Sequence, residues 1–290
     1  MERHMIHRMK ILFQLTKFRI SLFSTLSTLV GFVLAHRGLS GEMMFPMLAV
    51  FLLASGSCAL NQYQERGIDE LMKRTVSRPI PSHQLSSSAA LKISLVLLLI
   101  GFTILSYGSN RMALALGLFA VFWYNGVYTP LKMRTVFAVI PGAFIGTIPP
   151  AIGWFSGGGG LDSQILALCF FFFIWQVPHF WILLLNFRRD YEKGGIPALT
   201  RIFPSAQFNR IIFVWVFATA VASLMIPFYG IVESQAIIGG LMITGAWLIW
   251  KAVQFLTARN PSPSFQSTFH AINHYILLVM VLLTLDPLFH

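Results

Sequence analysis

The sequence predicts an all-α polytopic membrane protein with nine transmembrane helices, the N-terminus cytoplasmic and the C-terminus outside. Three observations predict it. First, the 290 residues are 56% hydrophobic and only 11% charged, with a mean hydropathy of +0.71, whereas soluble domains carry about 25% charged residues. Second, the apolar residues gather in nine segments close to the roughly 20 residues that a spanning helix needs. Third, the basic residues alternate from one connection to the next. With the N-terminus inside, nineteen of the 21 Lys and Arg residues fall on inner segments and only Arg37 and Arg111 on outer ones, the bias that orients membrane helices. The net charge of +11 is then a matter of topology and gives no reason to expect nucleic acid as a partner. Little chain is left over for a soluble domain, so residues 1–290 read as one intramembrane domain.

Each element has its own justification. The first span, 19–35, is short and is expected to begin before Lys17. Its basic lead-in is like that of a signal peptide, but it is one of many similar segments and reads as a retained helix. Arg37-Gly38 ends it. The second, 45–64, is an apolar run that passes into the polar stretch 61–81. The third, 89–107, ends at the turn residues 108–110, and the fourth, 111–128, runs to Tyr128 with Lys132 and Arg134 beyond. Pro141, Pro149 and Pro150 interrupt the fifth, 136–156, which is tolerated where neighbours or water satisfy the freed backbone. The sixth, 161–186, carries the phenylalanine run 170–173 and Pro178. The last three are 211–229, 236–256 and 269–285, with turn signals at 260–263 between the final pair.

The chemistry concentrates at the inner ends. Asn61, Glu65 and Asp69 recur every four residues, so on a continuing helix they share a face one turn apart. Arg74, Thr75 and Arg78-Pro79 follow. Carboxylates beside arginines at a membrane helix end are costly unless they hold something. Carboxylate and carboxamide oxygens suit Mg²⁺, which favours phosphate and water as further ligands, and arginine suits the phosphate itself. A weaker copy follows the sixth span: Asn186 and Asp190 at i and i+4, flanked by Arg188, Arg189 and Lys193. Two such faces suggest one shared site that clamps a diphosphate through Mg²⁺. Simpler readings stand beside this one. The first motif could be an interfacial helix end paired with Arg66 and Arg74, and the second an ordinary basic loop. Tyr124 and Tyr128 could belong to an interfacial aromatic belt. His179, after Pro178, reads as a hydrogen-bonded structural residue, and His270 and His274 have a spacing that can bind metal. Cys58 and Cys169 lie in apolar runs without CxxC spacing, which argues against disulfide and zinc chemistry.

Larger motifs run in order along most of the chain. They are Lys17 and Arg19 around Phe18; N-x-x-x-E-x-x-x-D at 61–69; M-x-R-T-x-x-R-P at 72–79; Y-T-x-L-K at 128–132; P-G-A-x-x-G-x-x-P-P-x-x-G-W at 141–154; W-Q-x-P-H-F at 175–180; and N-x-x-x-D-Y at 186–191. In this ordered set the chain resembles the UbiA superfamily of intramembrane prenyltransferases, and within it the heme-farnesylating branch. Gly67 departs from the Asp that many bacterial relatives carry there. The resemblance implies a nine-helix bundle around a central cavity open to lipid, in a bacterial inner membrane with the active site on the cytoplasmic side. It implies Mg²⁺-dependent transfer of farnesyl from farnesyl diphosphate to a vinyl group of protoheme IX, with addition of water to give heme O. Heme A synthase or terminal-oxidase assembly proteins would be the partners. On this reading Asn61, Glu65, Asp69, Asn186 and Asp190 hold metal; Arg74, Arg78, Lys132 and Lys193 meet the diphosphate; Asp69, Asp190, Tyr124 and Tyr128 serve the reaction; and His179 approaches heme. The runner-up acceptor is a quinone precursor or another aromatic or tetrapyrrole compound. A transporter of an anionic solute fits less well, since it predicts charge at the bilayer midplane.

Overall fold

The computed structural model describes residues 2–197, 205–257 and 261–289. Arg201 and Arg259, counted above on the basic side, and Asn260 of the last turn lie outside the described residues. Among the described residues the chain is helical throughout, with no strand. Its helices are α1 Glu2–Leu15, α2 Phe18–His36, α3 Met44–Asp69, α4 Ser87–Gly108, α5 Arg111–Val121, α6 Thr129–Leu131, α7 Val139–Ile145, α8 Ile148–Ser156, α9 Ser163–Asn186, α10 Arg188–Lys193, α11 Ser205–Met225, α12 Gln235–Thr257 and α13 Pro261–Leu285. A π-helical segment, Phe122–Tyr128, joins α5 to α6. Nine stretches of the described residues are long and apolar enough to cross a membrane, in register with the nine expected segments.

The first span differs from expectation. It begins at Phe18, because Lys17 takes the left-handed conformation (φ 47°, ψ 54°) and breaks the chain there. The residues before it form a separate helix, α1, which the sequence reading did not assign. That helix is tied down by Gln62, whose amide donates to the carbonyls of Gln14 (2.7 Å) and Leu15 (2.9 Å). A left-handed lysine is strained, and its Nζ is held by Asn61 Oδ1 at 3.0 Å.

The fifth span is divided. It opens with a 3₁₀ turn, Val136–Ala138, and then breaks at Gly146 and Thr147 between α7 and α8. The three prolines do not interrupt helices here. Pro141 lies in the first turn of α7, and Pro149 and Pro150 in that of α8, where a missing N–H leaves no intrahelical bond unmade.

The bundle closes through small residues. A Cβ at Gly31 of α2 would lie 1.9 Å from Pro150 O, and one at Gly153 of α8 would lie 1.9 Å from Thr28 O. The two backbones touch at both places, as helices do in lipid, where small residues permit close approach and dispersion contacts replace the hydrophobic effect. Outward, large apolar side chains such as Leu99, Phe170 and Ile243 are exposed, as a lipid-facing surface requires. Phe171 and Phe172 turn inward and are buried, so the phenylalanine run serves both faces.

Candidate active site

Helix α3 continues through its polar end to Asp69. Asn61, Glu65 and Asp69 are therefore stacked one turn apart, and all three are buried. Each meets a cation from elsewhere in the chain. Lys17 Nζ donates to Asn61 Oδ1 at 3.0 Å. Lys132, just past α6, forms an ion pair with Glu65. Arg78 Nη1 bonds both Asp69 oxygens, at 2.9 and 2.7 Å. The loop carrying Arg78 is itself anchored, since Thr75 Oγ1 donates to Asp69 O at 2.9 Å.

The opposite wall is set by the π-helical segment. Asn125 Nδ2 donates to Ser57 O and to Gln64 Oε1, each at 3.1 Å, and Gln64 Nε2 donates back to Asn125 O at 3.0 Å. Asn61 Nδ2 donates to Thr129 Oγ1 at 3.2 Å. These bonds pin the widened turn to α3; π-turns of this kind concentrate at functional sites. The consequence is that Tyr124 and Tyr128 stack at 5.7 Å between ring centroids, with Phe180 of α9 at 6.1 Å from Tyr128. Lys132 Nζ lies 5.8 Å from the Tyr128 ring centre.

The second motif does not form a continuous face. The helix breaks at Phe187 (φ −115°, ψ 23°), and Asp190 N bonds Phe187 O instead of Asn186 O. Asn186 is left exposed at the end of α9, whereas Asp190 turns in and accepts the Arg74 backbone N–H at 2.8 Å. The Arg74 guanidinium lies over the rings of Phe187 (4.9 Å) and Tyr191 (5.5 Å), and its Nη2 donates to Tyr191 Oη at 3.2 Å. The two motifs do converge, but through Asp190, Tyr191 and the Arg74 loop.

Together these groups rim a cavity of about 300 Å³ whose walls include Lys17, Glu65, Asp69, Arg74, Arg78 and Lys132. Tyr124, Tyr128, Phe23, Phe180 and Leu183 line it as well. Desolvation lowers the Lys17 ammonium to about 8, so an anion beside it would strengthen its charge. Burial raises the Tyr191 phenol, with Arg74 pulling the other way.

Five expected residues stand apart from the cavity wall: Asn61 and Asp190, which are bonded to Lys17 and to the Arg74 backbone behind it, and Asn186, Lys193 and His179. Asn186 and Lys193 are exposed, for the reason just given: the break at Phe187 rotates their faces away. His179 is engaged with Asn273 Oδ1 (2.8 Å) and packs against Trp175 and Phe269. The His270 and His274 rings stack at 6.4 Å, and no group of three or more His, Cys, Asp or Glu among the described residues forms a metal cluster. Conversely, Lys17, Tyr191 and Gln176 line the cavity, although the sequence reading gave them no role. For Lys17 the available signal is its place beside Arg19 in the motif at 17–19, one of those that carry the family resemblance.

The donor chemistry fits Mg²⁺. A carboxamide oxygen and two carboxylates are hard oxygen ligands, and here each is held by a cationic group that a metal ion could replace.

The chain is similar to known proteins. The model of the UbiA prenyltransferase family matches residues 24–275. Protoheme IX farnesyltransferase of Nitratidesulfovibrio vulgaris (strain DP4) is 33% identical over 275 residues, covering 94% of each chain. Among solved structures, digeranylgeranylglyceryl phosphate synthase superposes with a TM-score of 0.78 at 13% identity, over 98% of this chain and 100% of that one. A UbiA homolog from Archaeoglobus fulgidus bound to GPP and Mg²⁺ superposes with a TM-score of 0.65 at 13% identity, over 94% and 99%.

Proposed function

The chain belongs to the UbiA prenyltransferase family, and from that premise we propose that it transfers a farnesyl group from farnesyl diphosphate to a vinyl group of protoheme IX, giving heme O. The observation that carries the reading is the arrangement at the cavity mouth. Four basic side chains (Lys17, Arg74, Arg78 and Lys132) share the cavity wall with the carboxylates Glu65 and Asp69 and with apolar and aromatic side chains, and Asp190 holds the Arg74 backbone behind them. A diphosphate with a long apolar tail matches both the charged and the apolar groups. We place this mouth on the cytoplasmic side of a bacterial inner membrane. The product would pass to heme A synthase or to terminal-oxidase assembly.

Asn61, Glu65, Asp69 and Asp190 would hold Mg²⁺, which when bound neutralises the diphosphate as the allylic C–O bond breaks. Lys17, Lys132 and Arg78 are tied to those same oxygens in this structure. Lys17, Lys132 and Arg78 are the groups that would meet the diphosphate charge that develops at the leaving group. Arg74 is aimed by its two rings and Tyr191. The stacked Tyr124 and Tyr128 rings offer π faces to the allylic cation and keep bulk water from it. Asn186, Lys193 and His179 carry no step.

The test is the product formed by purified protein in detergent from protoheme, farnesyl diphosphate and Mg²⁺, with and without chelator. A mass gain of one farnesyl plus water on heme, abolished by chelator, is expected. Diphosphate release with an aromatic acceptor but not with heme would move the acceptor, and neither product from folded protein would remove the enzyme reading. Tyr128→Leu is expected to lower transfer about 100-fold, on the scale of a lost transition-state contact, and to raise the share of farnesyl recovered as farnesol. Unchanged farnesol formation would count against the shielding role.

A further inference from the structure

Gln176 of α9 lines the cavity, and its Oε1 is buried without a hydrogen-bond partner. Such an orphaned acceptor in an apolar wall is unfavourable unless something visits it, and a water molecule is the smallest polar visitor that could. Its seat is built by glycines. A Cβ at Gly146 would fall 1.5 Å from Gln176 Oε1, and a Cβ at Gly142 would fall 2.6 Å from Tyr128 Cε2. Gly142 and Gly146 are four residues apart at the end of α7. The Tyr128 ring and the Gln176 amide therefore rest on consecutive turns of one helix, about 6 Å apart along its axis. The amide sits one turn from the aromatic face assigned to the allylic cation.

We propose that the Gln176 amide holds and orients the water that is added to the substrate, an inference that rests on the heme-farnesylating reading above. The C–O bond of farnesyl diphosphate breaks with its electron pair going to the diphosphate. The vinyl π pair of heme forms the new C–C bond, which leaves a cation on the vinyl carbon next to the macrocycle. The water oxygen, its hydrogen bonded to Gln176 Oε1, attacks that carbon. Its proton passes to the released diphosphate. An amide is too weak a base to take the proton itself, so Gln176 is a water-positioning residue. Without it, the cation loses a proton from the adjacent carbon, and the product is a farnesylated heme lighter by one water.

The experiment compares the two product masses made by full-length protein in detergent. In Q176L the ratio of hydrated to dehydrated product is expected to fall at least about tenfold, the scale of one buried hydrogen bond. Q176E, which keeps an acceptor oxygen, is expected to recover most of the ratio. Gly146→Ala leaves Gln176 in place but drives its amide off its seat, and is expected to shift the ratio as Q176L does; it carries the test if Q176L fails to insert. A parental ratio in both Q176L and Gly146→Ala, with parent protein making hydrated product, overturns this inference alone. So does a loss of both products in constant proportion. A parent that makes no farnesylated heme overturns the reading and the inference together.

Discussion

Asp69→Asn is expected to lower turnover by about three orders of magnitude while the protein still inserts. Asp69 is fully buried at the last turn of α3, and both its oxygens are bonded by Arg78 at 2.9 and 2.7 Å. The substitution keeps the side-chain volume but removes the charge that both Arg78 and Mg²⁺ require. Loss of a preorganised group at the developing charge reaches about 10³ in rate. Breaking a buried pair also destabilises, by about 3–5 kcal/mol, because the partner charge is left uncompensated. The two effects separate by measurement. Turnover per folded molecule, taken below the melting transition, reports the site; the melting temperature reports the ion pair. A lower melting temperature with parental turnover would make Asp69 a structural anchor of the Arg78 loop and nothing more. Asp190→Ala tests the second motif in the same way. Its carboxylate holds the Arg74 backbone, so turnover should fall through misplacement of Arg74 as well as through loss of an oxygen ligand.

Gly153→Ala is expected to cost about 3 kcal/mol of bundle stability, the upper end for inserting atoms into a packed interface. The added Cβ would lie 1.9 Å from Thr28 O and 2.8 Å from Phe32 N. Both are backbone atoms inside α2, so no side chain can swing away and the helices must part. Separation of α2 from α8 also shifts Phe23, Ser24 and Ile152, which line the cavity. Gly67→Ala is the control. A Cβ there meets nothing within 4 Å, and alanine is the better helix former by about 1 kcal/mol. Its melting temperature in detergent should match or exceed that of the parent. Equal melting temperatures for Gly153→Ala and the parent would mean that the α2–α8 contact yields without loss.

Much of the architecture was legible because the information is local. Nine apolar stretches and a one-sided distribution of Lys and Arg need no tertiary knowledge, since hydropathy and topology are read segment by segment. The i, i+4, i+8 spacing of Asn61, Glu65 and Asp69 was likewise enough to place them on one face, because α3 continues through them. Where the same spacing rule met a helix break it failed. Asn186 and Asp190 share the interval but not a face, since Phe187 leaves the helical conformation and no residue type at 186–190 announces it. The start of the first span failed for a related reason: nothing in Lys17 itself predicts a left-handed backbone.

By itself the sequence determined the helical class, the number of apolar segments, and the gathering of carboxylates and arginines at one set of helix ends. Tertiary structure alone decided which cation meets which oxygen: Lys17 with Asn61, Lys132 with Glu65, Arg78 with Asp69, and the Arg74 backbone with Asp190. It also decided that glycines of α7 seat Tyr128 and Gln176 on one wall. The physical reason is range. Hydropathy and helical period act within one segment, whereas each of these pairings depends on how separate helices pack and where their axes break.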